Sequence, residues 1–129
     1  MISFFVEDLH FNLGVKLLKD KFGIQTRCGC NCAGIYGHFL LHVDHETSHQ
    51  LIDEITLGDL IRKPGWIRMS IHPTTTNAEI EFVCNGIIAL AENHKIWALD
   101  YDYNATSNEF VHKNAEPLED ELVKNWFSL

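Results

Sequence analysis

Apolar positions recur along this chain with two periods, one suited to strands and one to helices. Residues 2–6 are rich in Ile, Phe and Val, which predicts a strand, and Glu7 and Asp8 follow as the acidic entry favoured at a helix N-terminus. Phe11, Val15, Leu18 and Phe22 then fall at steps of four, three and four, placing one apolar stripe on a helix that Gly23 terminates. Ile24–Arg27 predicts a short strand that runs into a cysteine segment, where Gly29, Gly34 and Gly37 mark a tight turn. From Tyr36 to about Leu60 the pattern is helical with one polar side, and Pro64-Gly65 closes that segment.

Trp66 to His72 alternates cleanly: Ile67, Met69 and Ile71 share one strand face, while Trp66, Arg68, Ser70 and His72 share the other. Thr76-Asn77-Ala78-Glu79 is a capping box, in which a Thr hydroxyl and a Glu carboxylate satisfy each other's backbone donors at a helix start. Behind it Ile80, Val83, Cys84, Ile87, Ile88 and Ala91 are expected to form one buried face, with Cys84 in the core. Tyr101, Tyr103, Phe110 and Val111 flank a turn-rich pentad, residues 104–108, and predict a hairpin. Leu118, Leu122, Val123 and Trp126 give the tail a last helical stripe. The order of elements reads as an α+β fold: a small sheet of about three to four mainly antiparallel strands with helices packed on it, in a single domain over residues 1–129.

Composition narrows the partners. The 129 residues carry 10 Lys and Arg against 18 Asp and Glu, a formal charge of -8 that repels polyanions, so neither nucleic acid nor an anionic membrane surface is an expected partner. The first apolar run has no basic leader, and no stretch approaches the ~20 apolar residues a bilayer-spanning helix needs. A cytoplasmic location is expected. Cys28, Cys30 and Cys32 alternate within one segment and only Cys84 is remote, which suits reduced thiols better than a disulfide framework.

Two segments carry candidate chemistry: Thr26-Arg27-Cys28-Gly29-Cys30-Asn31-Cys32-Ala33-Gly34 with Tyr36-Gly37-His38, and Gly65-Trp66-Ile67-Arg68-Met69-Ser70-Ile71-His72-Pro73-Thr74. Together they resemble consecutive active-site segments in the C-terminal small domain of class V aminotransferases and cysteine desulfurase-like, including selenocysteine lyase-like, enzymes of fold type I, which depend on pyridoxal phosphate. The resemblance covers most of residues 1–95. It implies that Cys32, just before Ala33, is a candidate nucleophile, that Arg68 binds a substrate carboxylate, and that Arg27 belongs to the same site. An arginine on a strand suits that role, because its rigid fork grips a carboxylate through two parallel hydrogen bonds. A nucleophilic Cys32 would need a nearby positive charge or a helix start to hold it as thiolate, and Arg27 and a helix beginning near Gly34 are placed to supply both. Cys28 and Cys30 read as small residues in a crowded turn.

The chain departs from the family pattern in three ways. The stretch over about residues 44–64 is longer than in a typical desulfurase, and His72-Pro73 stands where an aromatic-Asn pair is expected. The large domain that carries the cofactor lysine, its pyridine-nitrogen aspartate and its phosphate cradle is absent from residues 1–129. His94-Lys95 mimics the family's Schiff-base pair but ends a helix, where both side chains complement the helix dipole. The resemblance therefore implies pyridoxal phosphate for the parent family and no cofactor for this chain alone, which is expected to be inactive and to partner a separately encoded large domain. The alternatives are a stand-alone, self-associating interaction module, with a homodimer expected from the uncovered apolar surface, and a zinc-binding protein. The zinc reading draws on His38, His42, His45 and His49, spaced four, three and four along the polar side of a helix, with Cys28, Cys30 and Cys32.

Overall fold

The computed structural model describes residues 1–29, 34–105, 107–114 and 126. In chain order it contains β1 (Ile2–Phe4), α1 (Phe11–Phe22), β2 (Arg27–Gly29), α2 (Gly34–Leu40), α3 (His45–Thr56), β3 (Trp66–Met69), α4 (Asn77–Trp97), β4 (Tyr101–Asn104) and β5 (Glu109–His112). The fold is α+β, as the pattern predicts. β3 is the central strand of a three-stranded sheet of order β1-β3-β2 and runs antiparallel to both neighbours. β1 and β2 are thus parallel to each other, joined by α1, with β3 inserted between them in the manner of a split βαβ unit.

Alternation on β3 decides which face meets the core. Ile67 and Met69 are buried, and Ile67 pairs across the sheet with Phe4 on one side and Cys28 on the other. This face receives α1, where Phe11, Leu13, Leu17 and Leu18 are buried, and α4 closes the cluster with Leu90. Leu17, Leu18, Ile67 and Leu90 are the largest fully buried side chains, each worth about 1.5–3 kcal/mol of transfer free energy. The buried side of α1 is broader than the predicted stripe, since Leu13 and Leu17 join it while Val15 and Phe22 remain half-buried.

Element boundaries follow their caps. α1 begins later than Glu7-Asp8 suggests: Asp8 takes a positive φ of 59° in a turn, and the His10 side chain caps the helix by accepting from the Asn12 N–H at 3.2 Å. Gly23 ends α1 with φ 68°, its N–H reaching the Lys19 carbonyl at 2.8 Å. The capping box at Thr76 and Glu79 forms as predicted, with the Glu79 carboxylate accepting from the Thr76 N–H at 2.7 Å. Those bonds hold the Glu79 carboxyl below the usual range.

The predicted hairpin is present as β4 and β5, a separate two-stranded sheet docked on α1. The Tyr101 hydroxyl donates to Asp20 at 2.8 Å, and Asn12 Nδ2 donates to the Asn108 carbonyl. Burial, with the Asp20 carboxylate second, pushes the Tyr101 phenol well above its ordinary range.

Three expectations need correcting. The stretch from Tyr36 to Leu60 is not one helix, because the chain breaks at residues 41–44, where His42 adopts φ 54° and Asp44 caps α3 through the Thr47 N–H at 2.9 Å. Cys84 is exposed rather than core: the inward side of α4 runs through Val83, Gly86, Leu90 and His94, leaving Cys84, Ile88 and Ala91 outside. Gly86 sets that rotation, since a Cβ there would lie 2.7 Å from Ile24 Cδ1, so Ile24 and Phe22 pack directly against the helix backbone. The third concerns β3, which ends at Met69, short of His72. The tail stripe at Leu118, Leu122 and Val123 lies outside the described residues; Trp126 is helical and exposed.

Candidate functional site

The sheet has a second face. Along it, Ser3, Arg68 and Arg27 stand in one row across β1, β3 and β2, because Arg68 pairs with Ser3 on one side and with Arg27 on the other. Side chains directly opposite each other on antiparallel strands project to the same side, with Cβ atoms about 4.5–5.5 Å apart. Arg27 and Arg68 therefore lie abreast, two strands joined by sequence-distant pairing presenting two guanidinium groups to one place.

That place is a shallow cavity of about 440 Å³ lined by Met1, Gln25, Thr26, Arg27, Arg68 and Ser70. Arg68 is half-buried and Arg27 exposed. Among the described residues neither makes an ion pair or a side-chain hydrogen bond, whereas the third arginine, Arg62, is bonded to Glu54 at 2.7 Å. Thr26 adds a buried hydroxyl oxygen with no hydrogen-bond partner. The cavity wall thus offers two forked cationic donors, the Ser70 hydroxyl and the Gln25 amide, a donor set suited to small oxyanions.

Of the residues singled out from sequence, Arg27 and Arg68 are brought together. Cys32 lies outside the described residues, as does Cys30. Cys28 points to the opposite side of β2 from Arg27, where it packs against the core; its thiol donates to Asn12 Oδ1 at 2.9 Å, and burial pushes its pKa up. A thiol so placed is held protonated, in keeping with its reading as a packing residue. α2 does begin at Gly34.

The histidines divide between different tasks. His38 is buried and its Nδ1 lies 2.6 Å from Ser48 Oγ, His42 sits at the helix break, and the His45 and His49 rings meet edge to face at 4.5 Å. The four do not share one helix, and among the described residues no group of three or more His, Cys, Asp or Glu is arranged to hold a metal ion. His94 and Lys95 occupy the last turn of α4, where Lys95 pairs with Asp8 at 3.1 Å.

Thr26, Gln25 and Ser70 were not among the predicted site residues. Ser70 carried a signal, since it shares the alternation of Arg68; Thr26 and Gln25 carried none, because only the pairing of β2 with β3 brings them to the cavity. Comparison with protein-family models, with curated proteins and with solved structures finds no match to this chain. No helix among the described residues is long and apolar enough to cross a membrane.

Proposed function

We propose that this chain supplies the substrate-carboxylate half of an active site of the class V aminotransferase or cysteine desulfurase kind, and that it is catalytically silent by itself. The observation that carries the reading is the pair Arg27 and Arg68, abreast on one sheet face and free of internal carboxylates among the described residues. Arg68 is the principal anchor, because it belongs to the central strand and is half-buried, so its backbone is held by a strand on each side. Cys32 remains the candidate nucleophile in this reading.

The residues lining the cavity do not fit a resident pyridoxal phosphate. None of the six is a lysine, and Lys95, the residue of the His-Lys pair, is engaged by Asp8 on α4. Cofactor chemistry would have to come from a domain outside residues 1–129, and this chain's own part is to bind and orient a carboxylate.

The test is a titration of the purified chain with L-alanine and acetate at constant ionic strength, followed by the amide and guanidinium NMR signals. Saturable shifts at β2 and β3 on the order of millimolar are expected for an ion pair in an open cavity, and Arg68→Gln should abolish them. Pyridoxal phosphate should give no aldimine absorbance with the chain alone. Absence of carboxylate binding, or a clear aldimine band, would overturn the proposal.

A second reading, a self-associating module, draws on a specific feature: Phe82, Ile88 and Ile96 project from α4 more than half exposed. Apolar side chains left on a helix that packs on the core with its other side favour burial against a second copy. Sedimentation of the chain over a wide concentration range should show a dimer, and a strict monomer at the highest concentration would remove this reading.

A further inference from the structure

The pairing of two arginines calls for more than one carboxylate. Like charges directly opposite each other on neighbouring strands repel and destabilise the sheet. A chain with 18 acidic residues has ample carboxylates to neutralise them, and it does so elsewhere: Lys16 pairs with Asp20 at 3.1 Å, Arg62 with Glu54 at 2.7 Å and Lys95 with Asp8 at 3.1 Å. At the cavity that compensation is missing among the described residues, so the two forks leave a concentrated positive site on an otherwise acidic molecule.

A single carboxylate has two oxygens and one negative charge. It can satisfy the Arg68 fork in bidentate fashion, but then Arg27 keeps its charge and its donors unmatched. A ligand bearing two negative charges within a few ångströms satisfies both forks at once and removes their mutual repulsion. Strands about 4.7–4.9 Å apart set the separation of the two anchors, a span that fits two carboxylates on a short carbon chain or the oxygens of one phosphate.

We infer that the Arg27–Arg68 cavity selects a small dianion, with Arg68 holding one anionic group and Arg27 a second. This rests on the carboxylate-binding reading above and adds the substrate class: acids with two negative groups over monocarboxylates. Two chemical sources fit, a short dicarboxylate and a phosphate.

The experiment compares acetate, L-alanine, malonate, L-aspartate and inorganic phosphate on the purified chain at one ionic strength and neutral pH, by the same NMR titration and by thermal shift. Malonate and aspartate, or phosphate, should bind about fivefold or more tighter than acetate and alanine, a difference on the order of one added ion pair. Tight binding of the dicarboxylates identifies the first source, and tight binding of phosphate alone the second. Arg27→Gln should bring the dianions down to the monocarboxylate level, a larger loss than it causes for acetate, and should raise the Tm of the ligand-free chain by removing the repulsion. Arg68→Lys, which keeps the charge and loses the fork, should weaken every ligand. Equal affinity for mono- and dianions, or an Arg27→Gln variant that binds dianions as wild type does, would overturn the inference and leave the carboxylate site standing. No binding of any of the five would overturn both.

Discussion

His10 carries two duties on one ring. Its Nδ1 accepts the Asn12 N–H at 3.2 Å to cap α1, so in the neutral ring the proton sits on Nε2, which is buried without a hydrogen-bond partner. Phe11, Tyr103 and Phe110 surround it with centroid distances of 4.5, 5.9 and 5.3 Å. Burial lowers its pKa from the ordinary 6.5, because a charged ring here would lose water. The unfolded chain therefore takes up a proton at higher pH than the folded one. Stability from His10 is complete above about pH 6.5 and is lost as pH falls through that value toward the folded pKa. His10→Asn keeps a capping acceptor and removes the titration. Between about pH 7.5 and about pH 5.5 the Tm of the wild type should fall more steeply than that of the variant. Parallel Tm curves would show that His10 does not contribute to the acid sensitivity.

Single residues also show what the sequence could reveal of the site. Arg68 was legible, since strict alternation from Trp66 onward fixes its face once Ile67 is assigned to the core. Arg27 was legible as a member of the segment, but its position beside Arg68 depends on register between strands 41 residues apart, which no local pattern encodes. The thiol cluster was legible only as composition: Cys28 turns to the core, and its reading follows from packing against Asn12 on α1.

At the scale of elements, local chemistry set the ends and tertiary contact set the rotations. The capping box at Thr76, the left-handed Gly23 and the hairpin at residues 101–112 all appear where their residues place them. The rotation of α4 departs from the predicted one because its sequence is apolar on more than one side, so periodicity offers two candidate faces. Gly86 breaks the tie by admitting Ile24 and Phe22 against bare backbone, which turns Leu90 inward and Cys84 and Ile88 outward. A glycine inside a helix was the available signal, since it costs about 1 kcal/mol relative to Ala unless close packing requires it. Gly65 acts similarly at the start of β3: an added Cβ would meet the Phe11 ring at 2.7 Å and the Gly29 Cα at 3.0 Å. That close approach draws β2, β3 and α1 together at the start of β3, two positions along the ladder from the paired arginines. The excursion itself divides at His42, whose left-handed backbone ends one helical segment before Asp44 caps the next.

For the whole molecule, the core and the excursion separate. The buried cluster draws on α1, Ile24, β3, α4 and Tyr101 with residues of β1, β2 and β5 packed on it, and among the described residues none of α2 or α3 belongs to it. Within the excursion Leu51 is buried, and His38 Nδ1 meets Ser48 Oγ at 2.6 Å, joining α2 to α3. Stability so divided should appear as two levels of amide hydrogen exchange, because segments with few buried apolar contacts open without unfolding the rest. Amides of α1, β3 and α4 should exchange only through global unfolding, with protection that falls in step with denaturant, while those of α3 exchange through a smaller local opening. Ser48→Ala isolates the fastening, since it leaves the buried His38 nitrogen without its partner, a loss of about 1–3 kcal/mol. Protection in α3 should drop by that amount while α1 and α4 keep theirs. Equal protection of α3 and α4 in the wild type, or a uniform loss in the variant, would mean that the excursion folds as one unit with the sheet. The proposed anion site would then share its stability with α2 and α3, and the Arg27–Arg68 cavity would persist only while those helices are folded.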